Sequence, residues 1–457
     1  MKRFFQFKKL LLLLGDVFIL YASLYITLLI RYQEIPTAQV WANHVWPFTI
    51  VFVVWIIIFY IADLYNLHLA VNNPKFFQKT NKSVIAAVIF ALAFFYADPE
   101  TKIAPKTNLL LYIAIFYILF FLWRRLYNRS LKSYLPKKNI AIIGYDNQVE
   151  KLIEELKEKP HLGYVISFIL DDKNENRENE INGIKIINGI ENLKNAVLEN
   201  KIDTIVLSSD PNKSDELRTS LFNCIYLKIN YIGLPDFYEN ITGKIPIDTI
   251  GEMWFLENLS EADKIWFDSF KRIYDVILAL LLFLITLPFW LIIAAIIKIE
   301  SRGPVFFIMK RAGKDDRNFK LIKFRTMREE GNDRSLTTEN DARVTKFGKF
   351  LRKTRIDEIP QVINILKGDM SFIGPRPERP EYVIELENAI PFYKERMLIK
   401  PGLTGWDQIS GEYHSPTVED SLKKLQYDLY YIKNRSVYLD ISIILKTIAT
   451  VLSRGGL

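Results

Sequence analysis

The residues with the clearest capacity for chemistry lie beyond residue 300. Residues 319–327 read FKLIKFRTM, residues 354–370 read TRIDEIPQVINILKGDM, and residues 371–378 read SFIGPRPE. Cationic side chains recur in and beside these stretches, at Lys323, Arg325, Arg352, Arg355 and Arg376. They surround one adjacent carboxylate pair, Asp357–Glu358, which precedes an apolar stretch of helical character at 362–366. Arginine meets phosphate oxygens through paired N–H donors and keeps its charge, so several arginines around two carboxylates suit a polyanionic substrate. A carboxylate can attack phosphorus to give an acyl phosphate. A neighbouring carboxylate can hold a divalent ion that neutralises phosphate charge during transfer. Spacing alone leaves a plainer reading equally open: Asp357 caps the helix, Glu358 sits in its first turn, and Pro360 is tolerated there. The arginines could likewise form a basic face against anionic lipid headgroups.

Just upstream, residues 276–297 form an unbroken run of 22 uncharged residues containing Pro288. Such a run is long enough for a membrane helix. Lys271 and Arg272 flank it on one side, and Lys298, Arg302, Lys310 and Arg311 on the other. Positive charge at both ends assigns both ends to the cytoplasmic side. Proline removes a backbone donor and breaks the helix locally, and Thr286 is spaced to bond a freed carbonyl. The expectation is a re-entrant helix over about 273–298, kinked at Pro288, that returns the chain to the face it entered.

Four further apolar stretches precede residue 125, at roughly 10–30, 46–64, 83–97 and 108–123, the third of them short. The first is too long for a signal-peptide core and lacks a small-residue cleavage site. With the N-terminus inside, 13 Lys/Arg fall in cytoplasmic segments, against Arg31, Lys102 and Lys106 outside. This asymmetry returns the chain to the cytoplasm near residue 124. Trp46, Trp123 and Tyr127 suit headgroup-level anchoring. Asp16 and Asp63 lie near span ends, and no acidic or histidine residue sits mid-span as a transporter would need, so these helices read as an anchor.

Between the membrane segments, strands are expected at 139–144, 164–170 and 204–208, and helices at 148–157 and 192–199, with an acidic loop at 171–180. The alternation argues a small parallel α/β domain. A dinucleotide site wants G-x-G-x-x-G after the first strand. Here Gly144 is followed by Tyr145, Asp146 and Asn147, so a Rossmann-like domain without nucleotide is the preferred reading. The Tyr134/Lys138 pair precedes the first strand and reads as coincidence.

Composition agrees with this layout. A length of 457 residues suits about three domains. The single cysteine, Cys224, excludes a disulfide framework and a multi-cysteine metal site. Four histidines, His44, His68, His161 and His414, are too scattered for a histidine metal site. Residues 1–138 hold 16 Lys/Arg against 5 Asp/Glu, so the basic balance belongs to the membrane half, and no nucleic-acid surface is expected.

From residue 271 onward the sequence resembles the bacterial sugar transferases, the monotopic phosphoglycosyl transferase family. The matching stretches are KRIYD (271–275), SRGPVFF (301–307), KFRTM (323–327), IDEIPQVINILKGDMSFIGPRPE (356–378), KPGLTGW (400–406) and YDLYYIKNRS (427–436). The N-terminal half is similar in architecture to the large, polymer-initiating branch. The resemblance implies a multi-domain membrane protein: a four-helix transmembrane region (1–130), a Rossmann-like, CoA-binding-like domain (131–255) and a mainly α catalytic domain with a re-entrant helix (256–457). It implies transfer of a sugar 1-phosphate from a UDP-sugar to polyprenyl phosphate, with UMP released, as the first membrane step of surface polysaccharide synthesis. In that family's terms Asp357 is the nucleophile of a ping-pong mechanism and Glu358 the Mg²⁺ ligand. Lys323, Arg352 and Arg376 match basic positions facing the phosphates, and Arg325 of KFRTM is grouped with them. Location at the bacterial inner membrane, with both globular domains cytoplasmic, and a homodimer are also implied.

The pattern departs from the family at Leu287, where serine usually precedes the helix-bend proline, at Met309, where glutamine is usual, and at Gly411–Glu412–Tyr413, where Gly-Arg-Asn is usual. The last bears on sugar or nucleotide contacts. Gln408 and His414 lie in the same stretch, His414 reading as a surface residue. Two rival functions remain: a metal-dependent glycosyltransferase, for which no Asp-x-Asp pair is present, and an inactive transferase-like scaffold of polysaccharide assembly, against which the intact Asp357–Glu358 pair argues.

Overall fold

The computed structural model describes residues 2–65, 72–97, 105–134, 138–158, 163–171, 180–211, 214–259, 264–328, 341, 343–410 and 417–452. His68, His161, His414, the 411–413 triplet and most of the acidic loop fall outside them. The chain divides into two compact units, 1–231 and 232–457.

The first unit opens with four long helices: α1 (Lys2–Tyr32), α2 (Ala38–Ile61), α3 (Pro74–Ala97) and α4 (Pro105–Tyr134). Each contains a segment long and apolar enough to cross a membrane. A helix satisfies its own backbone groups, which lipid cannot do for it. The third helix begins earlier than residue 83 because Phe76, Phe77 and Thr80 in its first turns pack inward, while Lys79 turns out to meet Asp63 at 3.6 Å. An aromatic column of Phe52, Trp55, Phe59, Tyr112, Phe116 and Phe120 fills the bundle.

Two residues behave differently from their expected roles. Arg124, expected among the cytoplasmic flanking cations, is fully buried and paired with Asp16, also fully buried. Asp16 Oδ1 accepts from Trp123 Nε1 (3.0 Å), and Arg124 Nη1 donates to Leu64 O (2.7 Å). The Tyr65 and Phe120 rings cover the guanidinium at 5.2 and 5.0 Å. Gly15 permits this closeness of α1 and α4, since a Cβ there would lie 2.0 Å from the Trp123 ring.

The α/β part contains β1 (Lys138–Ile143), α5 (Asn147–Glu158), β2 (Tyr164–Asp171), β3 (Glu180–Ile181), β4 (Ile184–Asn188), α6 (Leu193–Glu199), β5 (Thr204–Leu207), α7 (Asp215–Asn223) and β6 (Asn230–Gly233). The sheet order is β3-β4-β2-β1-β5-β6. β1 pairs in parallel with β2 and β5, β2 pairs in parallel with β4, and β3 runs antiparallel to β4. The arrangement is Rossmann-like, with central strands buried on both faces as parallel sheets require. β3, β4, α7 and β6 were not anticipated. At the N-terminus of α5, Asp146 Oδ1 accepts from the Gln148 and Val149 N–H groups, and Ser208 Oγ donates to Oδ2 (2.6 Å). A carboxylate therefore already occupies the helix end that a Rossmann fold offers to a pyrophosphate.

The second unit contains α8 (Leu234–Thr242), α9 (Glu252–Asn258), α10 (Ile265–Glu300), β7 (Phe306–Ala312), β8 (Asn318–Phe324), α11 (Lys346–Lys353), α12 (Val362–Lys367), β9 (Ser371–Ile373), α13 (Pro380–Ala389), β10 (Gly402–Thr404), α14 (Val418–Asn434) and α15 (Val437–Leu452). β7 and β8 form an antiparallel hairpin, and β9 pairs in parallel with β10. α10 carries the fifth apolar segment of membrane-crossing length and continues through Pro288. Thr286 Oγ donates to Leu282 O (2.7 Å) and accepts from Trp290 Nε1 (3.2 Å). The missing N–H of a proline frees the carbonyl four residues back, here Leu284. Thr286 thus makes an ordinary helix back-bond one turn behind itself, not the bond to the freed carbonyl that its spacing suggests.

Both ends of α10 are fastened to this unit. Arg272 donates to Ile365 O (2.5 Å) and Leu366 O (2.8 Å), and Lys271 pairs with Asp440 at 2.5 Å. At the far end, Glu300 accepts the Phe347 N–H at 3.1 Å.

Candidate active site

Local backbone geometry presents the carboxylate pair. Arg355 ends the α11 turn in the left-handed region (φ 57°), uncommon for a residue with a Cβ and recurrent at functional sites. The chain then enters a 3-10 turn, Ile356–Gln361, holding Asp357, Glu358 and Pro360, before α12 begins. Neither this turn nor α12 has a side-chain cap. The capping alternative for Asp357 is therefore not realised.

The turn is braced from three sides. Asn364, fully buried on α12, behaves as a substitute strand edge: its Nδ2 donates to Lys320 O (2.7 Å) and its Oδ1 accepts from Ile322 N (3.1 Å). This ties β8, and with it Lys323, to the dyad-bearing segment. Arg272 secures the C-terminal carbonyls of α12. Arg396, held by buried Asp428 (Nη2 to Oδ2, 2.8 Å), donates to Arg376 O (3.0 Å) and so fixes the SFIGPRPE loop.

Glu358 is the electrostatic centre. Its Oε1 receives Lys323 Nζ at 2.7 Å and Arg376 Nη2 at 3.0 Å, with Arg355 Nη1 at 4.0 Å. Burial opposes its ionisation, but these cations, Lys323 foremost, hold its carboxyl well below the usual range. Glu358 in turn raises the guanidinium pKa of Arg376, while burial pushes the Lys323 ammonium down.

Asp357 differs from its neighbour. It is only 8% exposed, and Oδ1 has no hydrogen-bond donor among the described residues. Burial, then the Glu358 charge, pushes its carboxyl up to about 6, against the pull of Lys323, Arg352 and Arg355. A buried carboxylate oxygen without a donor, in a field of cations, is weakly solvated and has the chemical capacity to act as a nucleophile. Arg352 donates from Nε to Thr326 Oγ (2.9 Å), and its charge acts on Asp357.

Of the sequence-predicted cations, Lys323 and Arg376 contact the dyad directly and Arg352 lies in the electrostatic range of Asp357. Arg325 goes elsewhere. It is 4% exposed and donates to Ser301 O (2.8 Å) and Ser301 Oγ (3.0 Å) at the end of α10. A cation is favoured at a helix C-terminus, so in this arrangement Arg325 braces α10. Sequence reasoning assigned no role to Asn364, Arg396 or Asp428. Asp428 lies within a quoted motif, but its type and spacing gave no sign of a partner 32 residues away.

Mg²⁺ at phosphate sites takes one or two carboxylates and draws further ligands from substrate phosphates and water. Adjacent Asp357 and Glu358, with the undonated Asp357 Oδ1, fit that sparse pattern. Among the described residues, no three His, Cys, Asp or Glu are grouped to hold a metal alone. A shallow open cleft adjoins the site, bounded by Pro375, Arg376, Pro377, Glu378 and Arg396.

Residues 266–454 match the bacterial sugar transferase family model, and residues 60–221 match a CoA-binding domain model. The chain is 30% identical to the UDP-glucose:undecaprenyl-phosphate glucose-1-phosphate transferase of Xanthomonas campestris pv. campestris, over 69% of this chain and 67% of that one. It belongs to the bacterial sugar transferase family. It is also 39% identical to a UDP-N-acetylgalactosamine-undecaprenyl-phosphate N-acetylgalactosaminephosphotransferase of Aeromonas hydrophila, over 54% of this chain. A UDP-glucose:undecaprenyl-phosphate glucose-1-phosphate transferase of Escherichia coli K12 is 43% identical over 39% of this chain. The matches span 58% of the Aeromonas protein and 39% of the Escherichia coli protein. In this chain the family-matched residues include the whole dyad turn, β8 and the SFIGPRPE loop, the elements that carry the cluster around Glu358.

Proposed function

We propose that this sugar transferase is a phosphoglycosyl transferase that moves a sugar 1-phosphate from a UDP-sugar to undecaprenyl phosphate in surface polysaccharide synthesis. The observation that carries the reading is the buried Asp357 carboxylate, one oxygen without a donor, beside Lys323, Arg352, Arg355 and Arg376. In the first step an Asp357 carboxylate oxygen attacks the phosphorus bearing the sugar. The bond from that phosphorus to the oxygen bridging the two phosphates breaks, and UMP leaves with that oxygen. In the second step a polyprenyl phosphate oxygen attacks the same phosphorus. The Asp357 oxygen–phosphorus bond breaks, giving polyprenyl-diphosphate sugar and restoring the carboxylate. Lys323 and Arg376 orient phosphate oxygens, Arg352 attracts the same charge from the Asp357 side, and Glu358 keeps these cations aligned. Mg²⁺ is the ion this reading requires: Glu358 would hold it, and when bound it neutralises phosphate charge.

A re-entrant α10 is part of the proposal. Its support is that Arg272 and Lys271 at one end, and Glu300 and Ser301 at the other, all bond to the same compact unit. Both globular parts then lie on the cytoplasmic face of the bacterial inner membrane, where UDP-sugars are available, and the chain forms a homodimer. Native mass measurement that finds only monomer would reject the dimer.

The test is to incubate membranes containing the enzyme with polyprenyl phosphate and a panel of labelled UDP-sugars. UMP release and label trapped on Asp357 are expected. Release of UDP would make the protein a glycosyltransferase, and normal product from Asp357→Asn would make its dyad a scaffold feature.

A further inference from the structure

α11 (Lys346–Lys353) has a face that the transferase reading leaves unused. Lys346, Lys349, Phe350 and Lys353 are all exposed, and they recur at i, i+3, i+4 and i+7. That spacing lays them in one stripe along the helix. Gly348 and Leu351 are buried on the opposite side, and Arg352 turns to Thr326 and the dyad. None of the three lysines pairs with a carboxylate among the described residues. Phe350, 52% exposed, stacks on Phe347 at 5.9 Å and otherwise leaves an apolar ring in the open between cations.

The location of the stripe says what covers it. The first turn of α11 is docked on the last turn of α10 through the Glu300 carboxylate and Phe347 N–H. Phe347 packs in one apolar cluster with Trp290 and Ile297 of α10. Lys298, Ile299 and Arg302 at that end of α10 are exposed as well. The basic stripe is therefore continuous with the end of a 36-residue apolar helix, at the level where such a helix leaves hydrocarbon for headgroups. A short basic helix with an aromatic ring at that depth meets anionic lipid phosphates by charge and the acyl boundary by the ring.

We propose that α11 is an anionic-phospholipid recognition surface that sets the depth of the dyad, which begins four residues after Lys353. The occupant is the headgroup layer of the bilayer holding α10. This inference needs α10 in a membrane but does not depend on the identity of the transferred group.

The test uses the full chain in nanodiscs of phosphatidylcholine, with or without phosphatidylglycerol. Retained lipid is counted by native mass spectrometry, and turnover is followed at limiting acceptor. One lysine at a headgroup strengthens contact about fivefold, so three reach on the order of a hundredfold at low salt, less as salt screens them. The native chain should retain phosphatidylglycerol over phosphatidylcholine, lose that preference in high salt, and turn over several-fold faster when the anionic lipid is present. K346Q/K349Q/K353Q should lose both effects while keeping its rate in phosphatidylcholine, and the triple arginine variant should keep both. If the glutamine variant does not fold, the salt dependence of retention by the native chain decides. Equal retention by native and glutamine variants, or retention indifferent to salt, overturns the proposal. So does loss of a co-purifying acidic protein with phosphatidylglycerol retention unchanged, which would make the stripe a protein contact.

Discussion

Each unit buries opposite charges, and the two arrangements differ in what they leave unsatisfied. In the bundle, one carboxylate meets one guanidinium: Asp16 takes Arg124 and the Trp123 N–H, Arg124 also bonds Leu64 O, and aromatic rings cover the pair. In the catalytic unit, four cations attend two carboxylates. Glu358 carries most of the contacts, while Asp357 Oδ1 keeps an oxygen with no donor. In the balanced pair both carboxylate oxygens have donors, and the one nitrogen without a partner, Arg124 Nε, belongs to a guanidinium covered by aromatic rings. The unbalanced cluster holds surplus positive charge beside a carboxylate oxygen without a donor, the arrangement the proposed chemistry uses. Buried charge is thus a poor marker of function by itself; the residual imbalance is the informative quantity.

The most severe way to break this contrast is Asp357→Asn. Turnover should fall by about 10⁴-fold or more, as when a nucleophile is lost. Stability should move the other way. The Asp357 carboxyl is raised to about 6 by burial, so above that pH its ionised form opposes folding. The amide should then raise stability near neutral pH by up to about 3 kcal/mol, at about 1.4 kcal/mol per pKa unit. A variant that is both inactive and less stable would contradict the account of Asp357.

Breaking the balanced pair should show the reverse pattern. Asp16→Asn or Arg124→Met should each cost about 3–5 kcal/mol by leaving an uncompensated buried charge. Thermal melts in detergent read that loss, with per-molecule turnover of the folded fraction unchanged. The double variant should recover much of the stability.

Glu358→Gln should lose about 10²–10³-fold in turnover, the scale seen when a preorganised electrostatic group is removed. It should also destabilise. Because the folded-state pKa of Glu358 is depressed, its contribution is fully present above the ordinary glutamate range and is lost progressively as pH falls from that range through the depressed value. The stability gap between native and variant should therefore persist through mildly acidic pH in denaturant titrations.

A pH profile sharpens the comparison further. Single-turnover UMP release should fall tenfold per pH unit below about 6, where Asp357 becomes protonated, and level off above it. A profile flat down to pH 4 would move the nucleophile elsewhere. The smallest effect is expected at Arg325. Replacement by lysine keeps the charge but not the reach of Nη2, which donates to both Ser301 O and Ser301 Oγ, and should cost about 1–2 kcal/mol in stability, with a shift in acceptor KM smaller than for Arg376→Lys.

Much of this was legible in the residues. The apolar runs and their flanking lysines and arginines located the membrane helices because lipid admits few alternatives to a long apolar helix. The strand at 139–144 and the weak glycine signature indicated a Rossmann-like domain without a phosphate loop. Cationic motifs around Asp357 and Glu358 pointed to segments that the fold does bring together. The burial of Arg124 was not legible, since a flanking cation and an interhelical partner look alike until α1 is packed on α4. The division of labour between the carboxylates was hidden as well. Adjacent acids are equivalent in sequence, and only the turn begun by left-handed Arg355 aims one at Lys323 and Arg376 and leaves the other undonated.

By itself the sequence determined which segments are apolar enough to enter a membrane, where cations and carboxylates cluster, and the family to which the chain belongs. Tertiary structure alone decided which cations reach which carboxylate, that Arg325 serves the end of α10, and that Asn364, Arg396 and Asp428 brace the site. Hydropathy and charge are properties of single residues summed along the chain. A hydrogen bond or a shifted pKa instead depends on distances between residues far apart in sequence, and those exist only once the core has packed.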